Sequence, residues 1–132
     1  MTDTNPASHV DETSVFRPKF GSDGLIVVAT TCASTNRLLM IAYMNEDALT
    51  KTIETGDAWY WSRSRQELWR KGATSGNQQK VREIRIDCDQ DAIELVIDQS
   101  GPACHTNRAN CFYRRVEKGD DGKIALSFST EP

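Results

Sequence analysis

The chain has 132 residues, 38% of them hydrophobic and 27% charged, with a net charge of −3 and four cysteines. That length suits one domain with one modest core, and the composition excludes disordered and fibrous classes. No apolar run approaches the ~18 residues needed to span a bilayer, so no membrane is expected as a partner.

The opening M-T-D-T-N-P-A-S-H-V-D-E-T-S has neither a basic start nor an apolar stretch. It is expected to be no signal peptide but a disordered acidic tail over 1–17. His9 falls within it and carries no expected role. L-I-V-V-A-T-T (25–31) and R-L-L-M-I-A-Y-M (37–44) read as two strands joined by the turn C-A-S-T-N. A short helix follows, with Asn45 as N-cap, Glu46 and Asp47 in its first turn and Gly56 as its stop. Ala48, Leu49, Thr52 and Ile53 share one face at helical spacing and are expected in the core.

A-W-Y-W-S-R-S-R (58–65) alternates like a strand, and E-L-W-R (67–70) continues it. K-G-A-T-S-G-N-Q (71–78) is a loop. K-V-R-E-I-R-I-D-C-D (80–89) alternates but breaks step at Glu83, and A-I-E-L-V-I-D-Q (92–99) is its expected antiparallel neighbour. G-P-A-C-H-T-N-R-A-N-C (101–111) is a loop, C-F-Y-R-R-V-E (111–117) a strand and K-I-A-L-S-F (123–128) a last one. The chain reads as mostly β (α+β): a compact antiparallel β-sheet or barrel-like domain with one short helix.

Charge is uneven. Residues 63–85 hold seven basic and two acidic residues, a local balance of +5 that fits an anionic partner. One compact cluster suits a small phosphorylated ligand better than nucleic acid, whose binders spread basic surface more widely. T-S-G-N (74–77) offers backbone N–H groups and hydroxyls to a phosphate, with Arg63, Arg65 and Lys71 near in sequence. Trp59 and Trp61 share a strand face, where they could stack on a base or fill core.

Without a secretory signal, metal binding or catalysis is a better expectation for cysteines than disulfides. Cys88, Cys104 and Cys111 lie at a strand end and at both ends of one loop. Three thiolates with an open position describe catalytic zinc, although C-x15-C-x6-C matches no common zinc finger. The alternative is small buried residues in a reducing cytosol. Cys32 reads as an ordinary thiol. His105, next to Cys104, could ligate a metal, act as general base or simply pack. In D-C-D-Q-D (87–91), an extended strand would set Asp87, Asp89 and Asp91 on one face, roughly 7 Å apart, and Cys88 on the other. Three such carboxylates repel unless a cation neutralises them. Oxygen ligands suit Mg²⁺ beside a substrate phosphate.

Taken together, W-Y-W-S-R-S-R-Q-E-L-W-R-K-G-A-T-S-G-N-Q-Q, D-C-D-Q-D and G-P-A-C-H-T-N-R-A-N-C-F-Y-R closely resemble the phosphoribosyl-AMP cyclohydrolases of histidine biosynthesis. The resemblance covers about residues 20–116. It implies a cytoplasmic enzyme that opens the adenine ring of 1-(5-phosphoribosyl)-AMP between N1 and C6, giving a formimino-carboxamide ribotide. It also implies an intertwined homodimer with zinc sites built from cysteines of both subunits, and a need for Mg²⁺. Carried over, the zinc ligands fall on Cys88, Cys104 and Cys111 and the magnesium ligands on Asp87, Asp89 and Asp91, with His105 as catalytic residue. Substrate contacts are expected from Trp59, Trp61, Ser62, Arg63, Ser64, Arg65, Lys71, Thr74, Ser75 and Asn77. The cyclohydrolase domain is expected over 18–117, with a hairpin or tail over 118–132 and no room for the pyrophosphohydrolase domain of some relatives. Asn107 and Ala109 stand where the family pattern has small residues, often Gly and Ser.

Zinc lowers the pKa of bound water to about 7, so hydroxide could attack C6 of a ring made cationic by its N1 substituent, with His105 moving a proton. Two rival readings remain. A zinc nucleobase deaminase would carry H-x-E and P-C-x-x-C, and neither is present. A structural zinc domain would close its site with a fourth thiolate, for which Cys32 is the candidate.

Overall fold

A computed structural model describes residues 12–129. Residues 1–11 of the expected tail, His9 among them, and residues 130–132 lie outside the described part. Eight strands and one helix follow in chain order: β1 (Ile26–Cys32), β2 (Leu38–Met44), α1 (Glu46–Thr55), β3 (Trp59–Ser62), β4 (Glu67–Arg70), β5 (Gln79–Ile86), β6 (Ala92–Gln99), β7 (Arg114–Lys118) and β8 (Ile124–Phe128). The mostly β expectation with one short helix holds.

The main sheet has the order β2-β1-β6-β5. Its neighbours are antiparallel except β1 and β6, which run parallel with Val28 beside Ile93 and Thr30 beside Leu95. That pair is the spine of the core. Ile26, Val28, Ile93, Leu95 and Ile97 point to one side and are at most 2% exposed, each burial stabilising by roughly 1.5–3 kcal/mol. Met40 and Met44 of β2, Ala48 and Leu49 of α1 and Tyr60 of β3 close over them.

The break in step at Glu83 has a structural cause. Strand β5 shifts register against β6 between Val81 and Glu83, so the extra residue restores Ile84 and Ile86 to the face of Val81. Helix α1 begins and ends as its sequence predicts. Asn45 Oδ1 accepts from the Ala48 N–H at 2.8 Å, and Gly56 stops the helix at φ 74°. Ala48, Leu49 and Thr52 are buried as expected, but Ile53 is 52% exposed. At about 100° of turn per residue, Ile53 lies at the edge of the face these residues share, turned farthest from Ala48.

Strands β3 and β4 pair with each other in a separate two-stranded sheet. Strand β7 begins at Arg114, three residues later than expected, and with β8 forms a hairpin across the 117/118 boundary. Val116, Ile124, Leu126 and Phe128 are all more than half exposed there. No helix among the described residues is long and apolar enough to cross a membrane.

Candidate active site

D-C-D-Q-D is not the end of a strand. Strand β5 stops at Ile86, and residues 87–91 form the turn into β6. The extended row with Asp87, Asp89 and Asp91 on one face and Cys88 opposite is therefore corrected. Aspartate favours turns because its carboxylate captures nearby backbone N–H groups. Asp87 Oδ1 accepts from Asp91 N at 2.9 Å and Ala92 N at 3.0 Å. Gln90 takes φ 61° and turns its side chain inward, where it is 4% exposed. Backbone of the N-terminal segment clasps it: Arg17 N donates to Gln90 Oε1 at 2.7 Å, Gln90 Nε2 to Val15 O at 3.2 Å and Lys19 N to Gln90 O at 2.7 Å.

The turn brings the carboxylates closer than a strand would. One oxygen from each of Asp87, Asp89 and Asp91 lies within 4.8 Å of the others. Burial pushes the Asp87 carboxyl up, but hydrogen bonds from Ala92 and Asp91 outweigh it and hold it below the ordinary carboxylate range. Hydrogen bonding to Asp89 and Asp87, then their charge, drives Asp91 up to about 6. A divalent cation relieves such crowding, and an all-oxygen donor set fits Mg²⁺.

The second assembly surrounds a pocket of about 620 Å³, lined by Ser62, Ser64, Arg65, Trp69, Lys71, Thr74, Ser75, Asn77, Cys104, His105 and Asn107. Three segments supply its walls. In the β3–β4 turn, Gln66 N donates to Ser62 O at 2.8 Å, which lifts Ser64 and Arg65 to the rim. The loop 71–78 folds back on Gly72, where an added Cβ would lie 2.6 Å from the backbone of Asn77 and Gln78. In the loop 101–111, Asn107 N returns to Cys104 O at 3.0 Å. Asn107 stands at φ 67°, a left-handed conformation natural to glycine and tolerated by asparagine. That accounts for Asn at a position where the family pattern has a small residue.

The Cys111 thiol neighbours that of Cys104 on this wall, and the Lys71 ammonium is close enough to both for its charge to act on them. Lys71 Nζ donates to Ala103 O at 2.6 Å and sits 5.2 Å from the Trp69 ring. Burial lowers the Lys71 pKa while the two thiols oppose the change. Burial raises Cys104, but hydrogen bonds from Thr106 and Cys111 and the charge of Lys71 bring it below the usual thiol value. Desolvation and the neighbouring Cys104 push Cys111 up to about 11. The pair thus holds one thiolate readily and resists a second without a cation, as two ligands of a soft metal would.

Seven of the ten expected substrate residues line this pocket, and three do not. Trp59 packs against the core with Lys51 5.2 Å over its ring. Trp61 faces Leu68 across the β3–β4 pair. Arg63 stacks 4.0 Å over Tyr43. Trp69 and Asn107 line the wall without having been expected as substrate contacts. Trp69 is signalled in the sequence only as one more aromatic on a short strand, and Asn107 only by its departure from glycine. Cys88 is exposed on the β5–β6 turn. Among the described residues the aspartate turn is the one group of three such ligand atoms, so Cys88 does not join Cys104 and Cys111 within the chain. Cys32 lies at the end of β1 with its thiol 3.2 Å from Ser34 Oγ, and it joins no such group.

A β-rich domain that gathers hydroxyls, an arginine, a histidine and the Cys104 thiol around one pocket, with Cys111 beside Cys104, has the equipment of a hydrolase for an anionic substrate. The family model described as phosphoribosyl-AMP cyclohydrolase matches residues 40–113. A phosphoribosyl-AMP cyclohydrolase of Nitrobacter winogradskyi is 51% identical over 97% of this chain and 88% of its own length. One from Rhodopseudomonas palustris is 56% identical over 89% of this chain and 78% of its own. One from Bradyrhizobium sp. is 55% identical over 86% and 87%. The chain belongs to the phosphoribosyl-AMP cyclohydrolase family, and with it to the hydrolases.

Proposed function

We propose that the chain hydrolyses the N1–C6 bond of the adenine ring of 1-(5-phosphoribosyl)-AMP, yielding the formimino-carboxamide ribotide of histidine biosynthesis in the cytoplasm. The observation that carries this reading is the union of two chemistries in one pocket: anion-binding groups on one side, and the Cys104 thiol with His105 on the other. Arg65 with the hydroxyls of Ser62, Ser64, Thr74 and Ser75 would hold a phosphate, and Asn77 would orient the ribose or phosphate beside them. Trp69, packed against Lys71, offers a flat face to the base.

The ligand sets fit both metals that the family resemblance implies. Cys104 and Cys111 would hold zinc together with Cys88 from a second copy of the chain, because Cys88 stands apart from them within one copy. When bound, zinc supplies a water acidified to about pKa 7. Asp87, Asp89 and Asp91 would hold Mg²⁺, whose charge complements a substrate phosphate. His105, exposed at the pocket wall, takes a proton from the attacking water or delivers one to N1 as it leaves C6. One water is consumed: its oxygen joins C6, the N1–C6 bond breaks and N1 gains hydrogen. A homodimer completes the site, and the exposed apolar face of the β7–β8 hairpin is suited to lie within its interface.

The deciding experiment is an ultraviolet assay of ring opening with phosphoribosyl-AMP in the presence of Zn²⁺ and Mg²⁺. Turnover lost on chelation and restored by both metals is expected. A fully metallated protein that leaves the ring closed overturns the reading.

A further inference from the structure

Two glutamines that the proposed reaction leaves unused link the core to the pocket. Gln79, 1% exposed at the start of β5, is paired with Gln99, half-buried at the end of β6. The surroundings dictate which way each amide faces. Gln99 Nε2 meets the carbonyl oxygens of Ser100 at 3.2 Å, Asn77 at 3.4 Å and Gln78 at 3.5 Å, and three acceptors require an N–H donor there. Gln99 Oε1 must then face Gln79, whose Nε2 donates to it at 2.9 Å. Gln79 Oε1 is left to accept from the Tyr60 hydroxyl at 2.5 Å. With that one proton committed, Thr30 Oγ1 donates to the Tyr60 oxygen at 2.8 Å. Donation runs one way, from Thr30 through Tyr60, Gln79 and Gln99 to the loop carbonyls.

The line ends at the seam between two pocket walls. Asn77 and Gln78 close the loop that carries Thr74 and Ser75, and Ser100 opens the loop that carries Cys104 and His105. Ser100 N donates to Gln78 O at 2.9 Å. A Cβ on Gly101 would lie 2.4 Å from Asn77 Oδ1, so the two loops are already pressed together. We infer that Gln99, oriented by Gln79, is a positioning residue that sets the spacing between the phosphate-side wall and the thiol–histidine wall. This inference rests on the pocket being the phosphoribosyl-AMP site. A displacement of about 1 Å between binding and reacting groups can cost on the order of 100-fold in rate.

The test compares three variants by kinetics with phosphoribosyl-AMP and by amide hydrogen exchange. Gln99→Leu removes the donors at the seam. It is expected to lower kcat/KM about 10- to 100-fold and to speed exchange at residues 72–78 while β1 and β6 stay protected. Gln79→Glu alters no loop side chain and, once ionised, replaces the donor to Gln99 by an acceptor, so Gln99 must turn its oxygen toward the carbonyls. The same loss is expected. Thr30→Val removes only the head of the line and should lower Tm with KM and kcat kept. Wild-type kinetics and loop exchange in Gln99→Leu overturn the inference, as does a Thr30→Val protein with the same kinetic loss. Should Gln79→Glu fail to fold, Gln99→Leu decides alone. If the wild-type protein does not open the ring, the functional reading fails, while loop exchange still reads whether Gln99 holds the seam.

Discussion

Asp87 accepts the backbone N–H of Asp91 at 2.9 Å, and this bond turns a row of carboxylates into a cluster. It helps hold Asp87 charged, while hydrogen bonding to Asp89 and Asp87 within the cluster, and then burial and their charge, push the Asp91 carboxyl up to about 6. The sign of the consequence follows from linkage. A folded pKa above the ordinary value of about 3.9 means that the metal-free native state keeps a proton the unfolded chain has lost. Asp91 therefore weakens the fold as pH rises through about 6, and a bound cation reverses this. Mg²⁺ binding is expected to release a proton at about pH 6 or below and almost none at about pH 8, measured by calorimetry in buffers of different ionisation enthalpy. Asp91→Asn should abolish the difference.

His105 offers a cleaner separation of chemistry from ligation. It adjoins Cys104 but is exposed on the pocket wall. His105→Ala is expected to lower kcat about 10²- to 10⁴-fold, the usual worth of a general acid or base, with bound zinc per chain unchanged. Equal loss of zinc and of rate would make the histidine a ligand instead.

These sites were unequally legible in the sequence. The strands of the core announce themselves through alternation, and even the bulge in β5 shows as the lost step between Val81 and Ile84. The turn at 87–91 misled because its spacing imitates a strand. Aspartate is depleted in strands, and no apolar residue there needs a face to bury. The pocket could be read as a cluster of residue types but not as a cavity. Trp61 and Ser62 differ only in which side of a short strand they take, which one residue of register decides, and Arg63 and Arg65 lie in the turn, where no alternation tells which reaches the pocket. The line from Thr30 to Gln99 joins residues up to 69 positions apart, as the numbers 30 and 99 show, and no local pattern marks it.

The separation of Cys88 from Cys104 and Cys111 leads to a complementation test. If zinc is shared between copies, Cys88→Ser and Cys104→Ser proteins should each lose zinc and turnover. Mixed and refolded together, they should form heterodimers in which one of the two sites is intact, restoring activity toward about a quarter of the wild-type rate for random pairing with independent sites. No recovery, with heterodimers verified by mass, would assign all three thiols to one chain.

Gly72 and Gly76 both adopt positive φ in the same loop, at 84° and 79°, yet their surroundings differ. At Gly76 a Cβ meets nothing within 4 Å, so alanine there pays only the left-handed conformational cost of about 1–2 kcal/mol. At Gly72 the added carbon lies 2.6 Å from the backbone of Asn77 and Gln78, which no side-chain rotation can relieve. The loop has to move, carrying Thr74, Ser75 and Asn77 away from Arg65 and the thiol pair. Gly72→Ala is therefore expected to raise KM for phosphoribosyl-AMP at least about 10-fold, while Gly76→Ala lowers Tm with KM nearly unchanged. Steady-state kinetics beside thermal melts of both variants make the comparison. Equal kinetics for the two would mean that the return of the loop onto Gly72 does not shape the pocket that the substrate meets.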